Sequence, residues 1–204
     1  KILLKEFSDK NVDFTYVPID ISDNALNQLH NSIEKELPKI RVQPFQGTYF
    51  EALEDINSRK NRKIILFLGS NIGNLKHDQA KGFMKKIQEL MEPEDLLFMG
   101  FDQKKNPQTI LDAYNDQEGV TAAFNKNVLA RINTELNANF DLEQFLHWEV
   151  YNPETGSAKS YLVSKIEQKV RIEALDLNIA FKSWETIHTE ISQKYDDEII
   201  NWLA

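Results

Sequence analysis

The chain has 204 residues, 41% apolar and 27% charged, with no cysteine and a formal net charge of −8. Those values are ordinary for a globular protein; they exclude disulfides and thiolate chemistry within these residues, and the acidic balance argues against nucleic acid, where a basic footprint is expected. No apolar run approaches the roughly 20 residues of a membrane helix, the four histidines, His30, His77, His147 and His188, lack the paired spacing of a helical zinc site, and neither a metal nor a membrane is expected. The cysteine-free composition matches a reducing, cytoplasmic compartment.

The chain opens at Lys1 in mid-pattern, and DDEIINWLA closes it inside a helix-like stretch, so both ends read as positions within a longer chain. Residues 11–20, NVDFTYVPID, read as a short strand interrupted by Pro18 and ending at Asp20. Ser22 is placed to cap a helix carrying Ala25, Leu26, Leu29, Ile33 and Leu37 and stopped by Pro38. A weaker strand at 40–47 and a short helix at 50–57 follow. Residues 63–68 read as a strand, continuously apolar from Ile64 to Leu68, the kind buried on both faces of a parallel sheet. Ala80, Phe83, Met84, Ile87, Leu90 and Met91 form a helical stripe, and 95–101 is a further strand. Strands alternating with helices in this way predict an α/β, parallel-type sheet.

The pattern changes near 104–107, KKNP. Phe124, Val128, Ile132 and Leu136, with Leu129 beside them, predict a long amphipathic helix over 119–136. Beyond it, 146–151, 159–165 and 168–174 read as strands, with NPETG at 152–156 as a hairpin turn. This is antiparallel α+β material and predicts a second lobe.

Ligands of open parallel sheets bind beyond the carboxyl ends of the strands, and three features fall there. Asp20 is an acid suited to a ribose diol, although taken alone it reads more simply as a helix N-cap or a solvated loop acid. Gly47, Thr48, Tyr49 and Phe50 follow the second strand, and Phe50 offers a face for an adenine or for the core. FLGSNIGNL at 67–75 follows the third, with two glycines and three small polar side chains, Ser70, Asn71 and Asn74. Glycines let backbone approach a ligand closely, and amides both donate and accept; a plain strand-to-helix turn is the simpler alternative.

Four ordered motifs carry a resemblance that covers essentially the whole chain: FLGSNIGNL, then LLFMGFDQKKNP at 96–107, then DAYND at 112–116 with GVTAAFNKNVLARIN at 119–133, and IHTEISQKY at 187–195. Together they resemble the S-adenosyl-L-methionine-dependent, histidine-specific methyltransferases of the ergothioneine pathway. The resemblance implies a class I, Rossmann-like methyltransferase fold with an inserted α+β substrate-binding lobe. In that scheme 1–103 is the cofactor-binding part, 104–190 the lobe and 191–204 the return to the first part. It implies N-methylation of the α-amino group of histidine or a related amino acid, the alternatives being another small amine or a non-catalytic binding domain. Asn74 and Tyr114 match the residues that hold the amino-acid end of the substrate and orient it for transfer, and Gly69 matches a backbone contact in the same loop. Glu190 and Ser192 match the pair that reads the imidazole. Asp20 matches the ribose-binding acid, Phe50 the aromatic at the adenine, and the Gly69–Ser70 backbone a cofactor contact. Two positions depart from the pattern: Tyr49 stands where an aspartate is common, and Asn71 where threonine is common. The Gly-rich turn for the methionine part of the cofactor is expected upstream of Lys1, and the last strands of the sheet after Ala204.

Overall fold

The computed structural model describes residues 1–57 and 61–204. The chain divides into two compact units, Lys1–Ile64 with Lys85–Leu96, and Ile65–Met84 with Leu97–Ala204.

The first unit begins with α1 (Ile2–Asp9), β1 (Thr15–Tyr16), β2 (Ile19–Asp20), α2 (Asp23–Glu36), β3 (Arg41–Val42), β4 (Phe45–Gln46) and α3 (Tyr49–Asn57). β1 runs parallel to β3 and β2 parallel to β4. Proline explains why each expected strand is two short pieces. Pro18 and Pro44 have no N–H to give to a ladder, yet Gln43 N–H reaches Tyr16 O and Phe45 N–H reaches Pro18 O, both at 2.9 Å, so the pairing continues past both breaks. Ser22 caps α2 by accepting from Ala25 N–H at 3.2 Å, and the helix buries Leu26 and Ile33.

β5 (Ile64–Phe67), α4 (His77–Glu89) and β6 (Leu96–Met99) come next, and β5 pairs with β6. The expectation that 63–68 is buried on both faces is not met: Ile64, Leu66 and Leu68 are 46%, 39% and 56% exposed. The strand alternates instead, because among the described residues one of its faces has no layer packed on it.

Just before these strands stands an ion pair that is almost dry. Lys63 Nζ lies 2.7 Å from Asp95 Oδ2, with the side chains 8% and 0% exposed. The Asp95 carboxylate also accepts from Lys63 N–H at 2.7 Å and Glu92 N–H at 2.8 Å. Burial pushes its pKa up, but the Lys63 ammonium and the backbone donors outweigh this, and the net shift is downward.

In the second unit, α5 (Pro107–Tyr114) and α6 (Val120–Leu136) precede β7 (Phe145–Asn152), β8 (Ser157–Ser164), β9 (Gln168–Ile172), β10 (Leu177–Phe181), β11 (Thr186–Gln193) and α7 (Asp197–Leu203). The first helix is started by Asn106, whose side chain accepts from Gln108 N–H, with Pro107 in the first turn. Asp116 takes Val120 and Thr121 N–H at the head of the next. β7, β8 and β11 form an antiparallel sheet in the order β11-β8-β7, and β9 and β10 form an antiparallel hairpin. The turn at 152–156 is an Asx turn in which Asn152 Oδ1 accepts from Glu154 and Thr155 N–H and Gly156 has φ +70°.

The core beneath α6 joins Leu129, Phe140, Phe145, Leu162, Val170, Ile172 and Phe181. Here the expected stripe shifts. Phe124 is 70% and Val128 43% exposed, whereas Asn125 and Leu129 are buried and Ile132 and Leu136 pack on the core. The helix turns its 125/129/132/136 line inward because Asn125 is held across the sheet by Thr189 Oγ1, at 2.5 Å. A second cluster joins Ile72, Ala80, Tyr195 and Leu203. The whole is a mixed α/β structure, with parallel strand pairs in the first unit and an antiparallel sheet in the second. No helix among the described residues is long and apolar enough to cross a membrane.

Replacing Lys63 by Met leaves Asp95 as a buried charge without its counter-ion. Urea unfolding is expected to show a loss of about 3 kcal/mol, with Lys63→Met/Asp95→Asn recovering part of it; equal stability of Lys63→Met and the unsubstituted protein would refute this role.

Candidate active site

The two glycines of the loop after β5 do different jobs. Gly69 has φ +81° and Ser70 φ +61°, so the chain reverses through two left-handed residues, the first of which favours glycine. Nothing lies within 4 Å of the point where a Gly69 Cβ would stand, so its backbone borders open space. Gly73 does a different job. A Cβ there would come within 2.9 Å of the Gln193 carbonyl oxygen, and the loop lies directly on the end of β11. Tyr195 reinforces the clamp: its hydroxyl donates to Ile72 O at 3.0 Å, and burial pushes its pKa to about 12, which keeps that donor protonated. Asn71 and Asn74, on the short 3-10 turn so fixed, are exposed.

On β11 the decisive feature is a bulge. The register with β8 pairs His188 with Tyr161 but Glu190 with Ser160, leaving Thr189 as the extra residue. One inserted residue reverses the alternation, so Glu190 and Ser192 face the same side as Ser160 and Ala158, away from the face of His188. The Thr189 hydroxyl is held at Asn125 Oδ1 and Ser160 O.

Ser192 meets Tyr114 from the end of α5: the Tyr114 hydroxyl donates to Ser192 Oγ at 2.7 Å. Beneath them lies Lys194, 1% exposed, whose ammonium donates to Tyr114 Oη at 2.6 Å, Ser192 Oγ at 2.8 Å and Asp102 Oδ2 at 2.8 Å. Burial pulls the Lys194 pKa down, but Asp102 and the Tyr114 hydroxyl outweigh it and the net shift is upward, so the ammonium stays charged. Asp102 is likewise held low, burial being outweighed by Lys194 and Lys105.

Across the sheet, Ser160 lies between Glu190 on one neighbour and Glu149 on the other. Ser160 Oγ donates to Glu149 Oε2 at 2.6 Å, while Glu149 Oε1 is buried without a hydrogen-bond partner. Burial, with Glu190 adding to it, raises the Glu149 carboxyl to about 7 against the Ser160 bond. A separate cavity of about 310 Å³ lies between α5 and β7, lined by Gln108, Leu111, Asp112, Trp148 and Glu149 among others, and none of the expected site residues borders it.

Within the second unit, then, Tyr114 and Ser192 are in direct contact, and Gly73 and Ile72 tie the Asn71–Asn74 turn to β11, the strand of Glu190. Within the first unit, Asp20 is exposed at the carboxyl end of β2, and its Oδ1 accepts from Ser22 N–H at 2.8 Å; the cap of α2 is Ser22, not Asp20. Tyr49 and Phe50 open α3, with Lys86 Nζ 4.1 Å from the Phe50 ring centre. Among the described residues no three His, Asp or Glu side chains gather as a metal-ligand set.

The whole chain, residues 1–204, matches the histidine-specific, SAM-dependent methyltransferase family. The chain belongs to that family. It is 35% identical over 198 residues to the histidine N-alpha-methyltransferase of Mycolicibacterium smegmatis, covering 97% of this chain and 61% of that protein. It is also 35% identical over 185 residues to the histidine N-alpha-methyltransferase of Mycobacterium tuberculosis, covering 91% and 57%. Ergothioneine biosynthesis protein 1 of Schizosaccharomyces pombe is 26% identical over 205 residues, covering 97% and 26%. The chain therefore spans about three fifths of the length of the two bacterial relatives.

SAM dependence belongs to the family, and the first unit has features that fit the adenosyl part: an exposed acid with one oxygen pinned at the end of β2, and aromatics in the first turn of α3. In the second unit the open space beside the Gly69 backbone fits a close ligand approach. Lys194, Asp102 and Glu149 were missed in the sequence. Strand parity, two residues after Ser192, was a signal that could have found Lys194, but nothing local joins Asp102 or Glu149 to it.

Glu149 makes stability pH-dependent. Its folded-state pKa of about 7 stands above the ordinary 4.5, so its contribution is complete below about pH 4.5 and is lost as pH rises through 7. Glu149→Gln should flatten this fall; between pH 5 and 8 the unsubstituted protein should lose roughly 2 kcal/mol more than the variant in urea unfolding. Parallel pH profiles for the two would show that Glu149 titrates normally.

Proposed function

We propose that this chain carries the substrate-recognition machinery of a class I, Rossmann-like N-methyltransferase acting on the α-amino group of histidine. In this reading 1–103 belongs to the SAM-binding part, 104–190 is an inserted substrate lobe and 191–204 leads back. The observation that carries the reading is the 2.7 Å hydrogen bond between Tyr114 and Ser192. Two motifs 78 residues apart, which the family resemblance assigns to one substrate, meet there.

S-adenosylmethionine supplies an electrophilic methyl group on a sulfonium. In the first unit Asp20 is assigned to the ribose and Tyr49 and Phe50 to the adenine; in the second, the Gly69 and Ser70 backbone is assigned to the cofactor. The chain's own task is orientation, because an amine in line with the methyl group needs little else. Asn74 accepts from the substrate amine through its amide oxygen, which leaves the nitrogen lone pair free to point elsewhere, and Gly69 and Asn71 border the same group. Tyr114 holds the shared amino-acid end. Glu190 accepts from one imidazole N–H and the Ser192 hydroxyl serves the other ring nitrogen. An apolar side chain of similar shape leaves the Glu190 carboxylate unpaired, which is the costly error that gives selectivity.

Removing that carboxylate tests the reading. In the full-length protein, Glu190→Ala should lower kcat/KM for histidine by roughly 10- to 100-fold, the value of one charge-assisted hydrogen bond, and should narrow its preference over other amino acids. The KM for SAM should stay within about twofold. Unchanged histidine selectivity across an amino-acid panel would remove Glu190 from the imidazole, and a preferred substrate of another amine class would replace histidine.

A further inference from the structure

We propose that Lys194 is a positioning residue that sets the direction of the Ser192 hydroxyl, so that Ser192 offers the substrate ring a hydrogen-bond donor and no acceptor. The inference rests on the reading of Ser192 under Proposed function and adds to it the residue that decides what Ser192 can recognise.

A count of protons carries the argument. The Lys194 ammonium has three N–H groups, and Asp102 Oδ2, Tyr114 Oη and Ser192 Oγ take all three, at 2.8, 2.6 and 2.8 Å. Each hydroxyl therefore spends one lone pair on the ammonium. The two hydroxyls, 2.7 Å apart, share one proton between them. A phenol is the stronger donor and the weaker acceptor of the two, so Tyr114 gives its proton to Ser192. Ser192 then accepts twice, from Lys194 and from Tyr114, and both its lone pairs are used. Its own proton is the one left over, and it must point out of the triangle.

The consequence is chemical selectivity. A hydroxyl with free lone pairs rotates to suit a donor or an acceptor; this one cannot. It fits a ring nitrogen with a free lone pair and opposes a ring N–H at the same place. Glu190, on the same face of β11, has the opposite requirement. A ring with one N–H and one bare nitrogen satisfies both, and a ring with N–H alone satisfies one.

The test compares the affinity of the full-length protein for histidine with its affinity for the two pyrrolylalanine isomers, each of which keeps one ring N–H and has C–H in place of the other nitrogen. The quantity read by calorimetry is the ratio of Kd values, taking the better pyrrole isomer. Ser192→Ala should reduce this ratio, and Lys194→Met should reduce it about tenfold, because Ser192 regains a lone pair and the freedom to turn. Asp102→Asn keeps the ammonium under both hydroxyls and should preserve the ratio. Lys194→Met/Asp102→Asn removes both charges together and should behave as Lys194→Met does, so the test survives a folding defect in the single variant. If Lys194→Met and the double variant keep the full ratio, or Asp102→Asn loses it equally, the positioning role is wrong while the substrate reading stands. If the unsubstituted protein does not bind histidine, or Ser192→Ala leaves the ratio intact, the substrate reading itself fails and takes this inference with it.

Discussion

A buried ammonium must have every N–H accepted, and much of the second unit is arranged to do this for Lys194. A charge with 1% exposure is costly unless paired and fully hydrogen-bonded. That requirement brings together the segment after β6, which supplies Asp102, the end of α5, which supplies Tyr114, and β11, which supplies Ser192. Lys194 N–H and carbonyl are tied in as well, the former to Gly156 O and the latter by the Gln193 side chain. Three segments far apart in the chain are thus fixed by one side chain, and the residues assigned to the substrate ring lie on the segments so fixed.

Two backbone features then aim the side chains. The Thr189 bulge changes the parity of β11, without which Glu190 and Ser192 would share a face with His188 and stand away from Tyr114. Gly73 lets the loop after β5 touch the Gln193 carbonyl, so the exposed Asn71 and Asn74 ride on a turn clamped to that same strand. Both set where polar groups are, which is the physical basis of orientation in the proposed methyl transfer.

The carboxylates of the sheet differ in environment. Glu149 and Glu190 flank the same serine, yet burial and Glu190 together hold Glu149 toward its neutral form. Taking a carboxyl out of water disfavours its charged form, and a second carboxylate across one serine adds to that cost.

Sequence alone determined the local elements and their order. Ser22 and Pro38 bounded a helix because caps and prolines act through neighbouring backbone, and the NPETG turn was legible because an Asx turn closes within a few residues. The four ordered motifs pointed to the family because their spacing survives in the chain itself. Burial was less legible. The line of Phe124 and Val128 read as the inward face of α6, and the structure turns Asn125 and Leu129 inward instead, since a partner on β11 decides which of two adjacent helical lines is covered. Likewise 63–68 read as buried on both faces because apolar content reports affinity for a layer, not the presence of one. Tertiary structure alone decided the bulge at Thr189, the job of Gly73, and the gathering of Asp102, Tyr114, Ser192 and Lys194. These depend on atoms up to 92 residues apart, and no local periodicity encodes the requirement that a particular buried charge be satisfied by groups so distant in the chain.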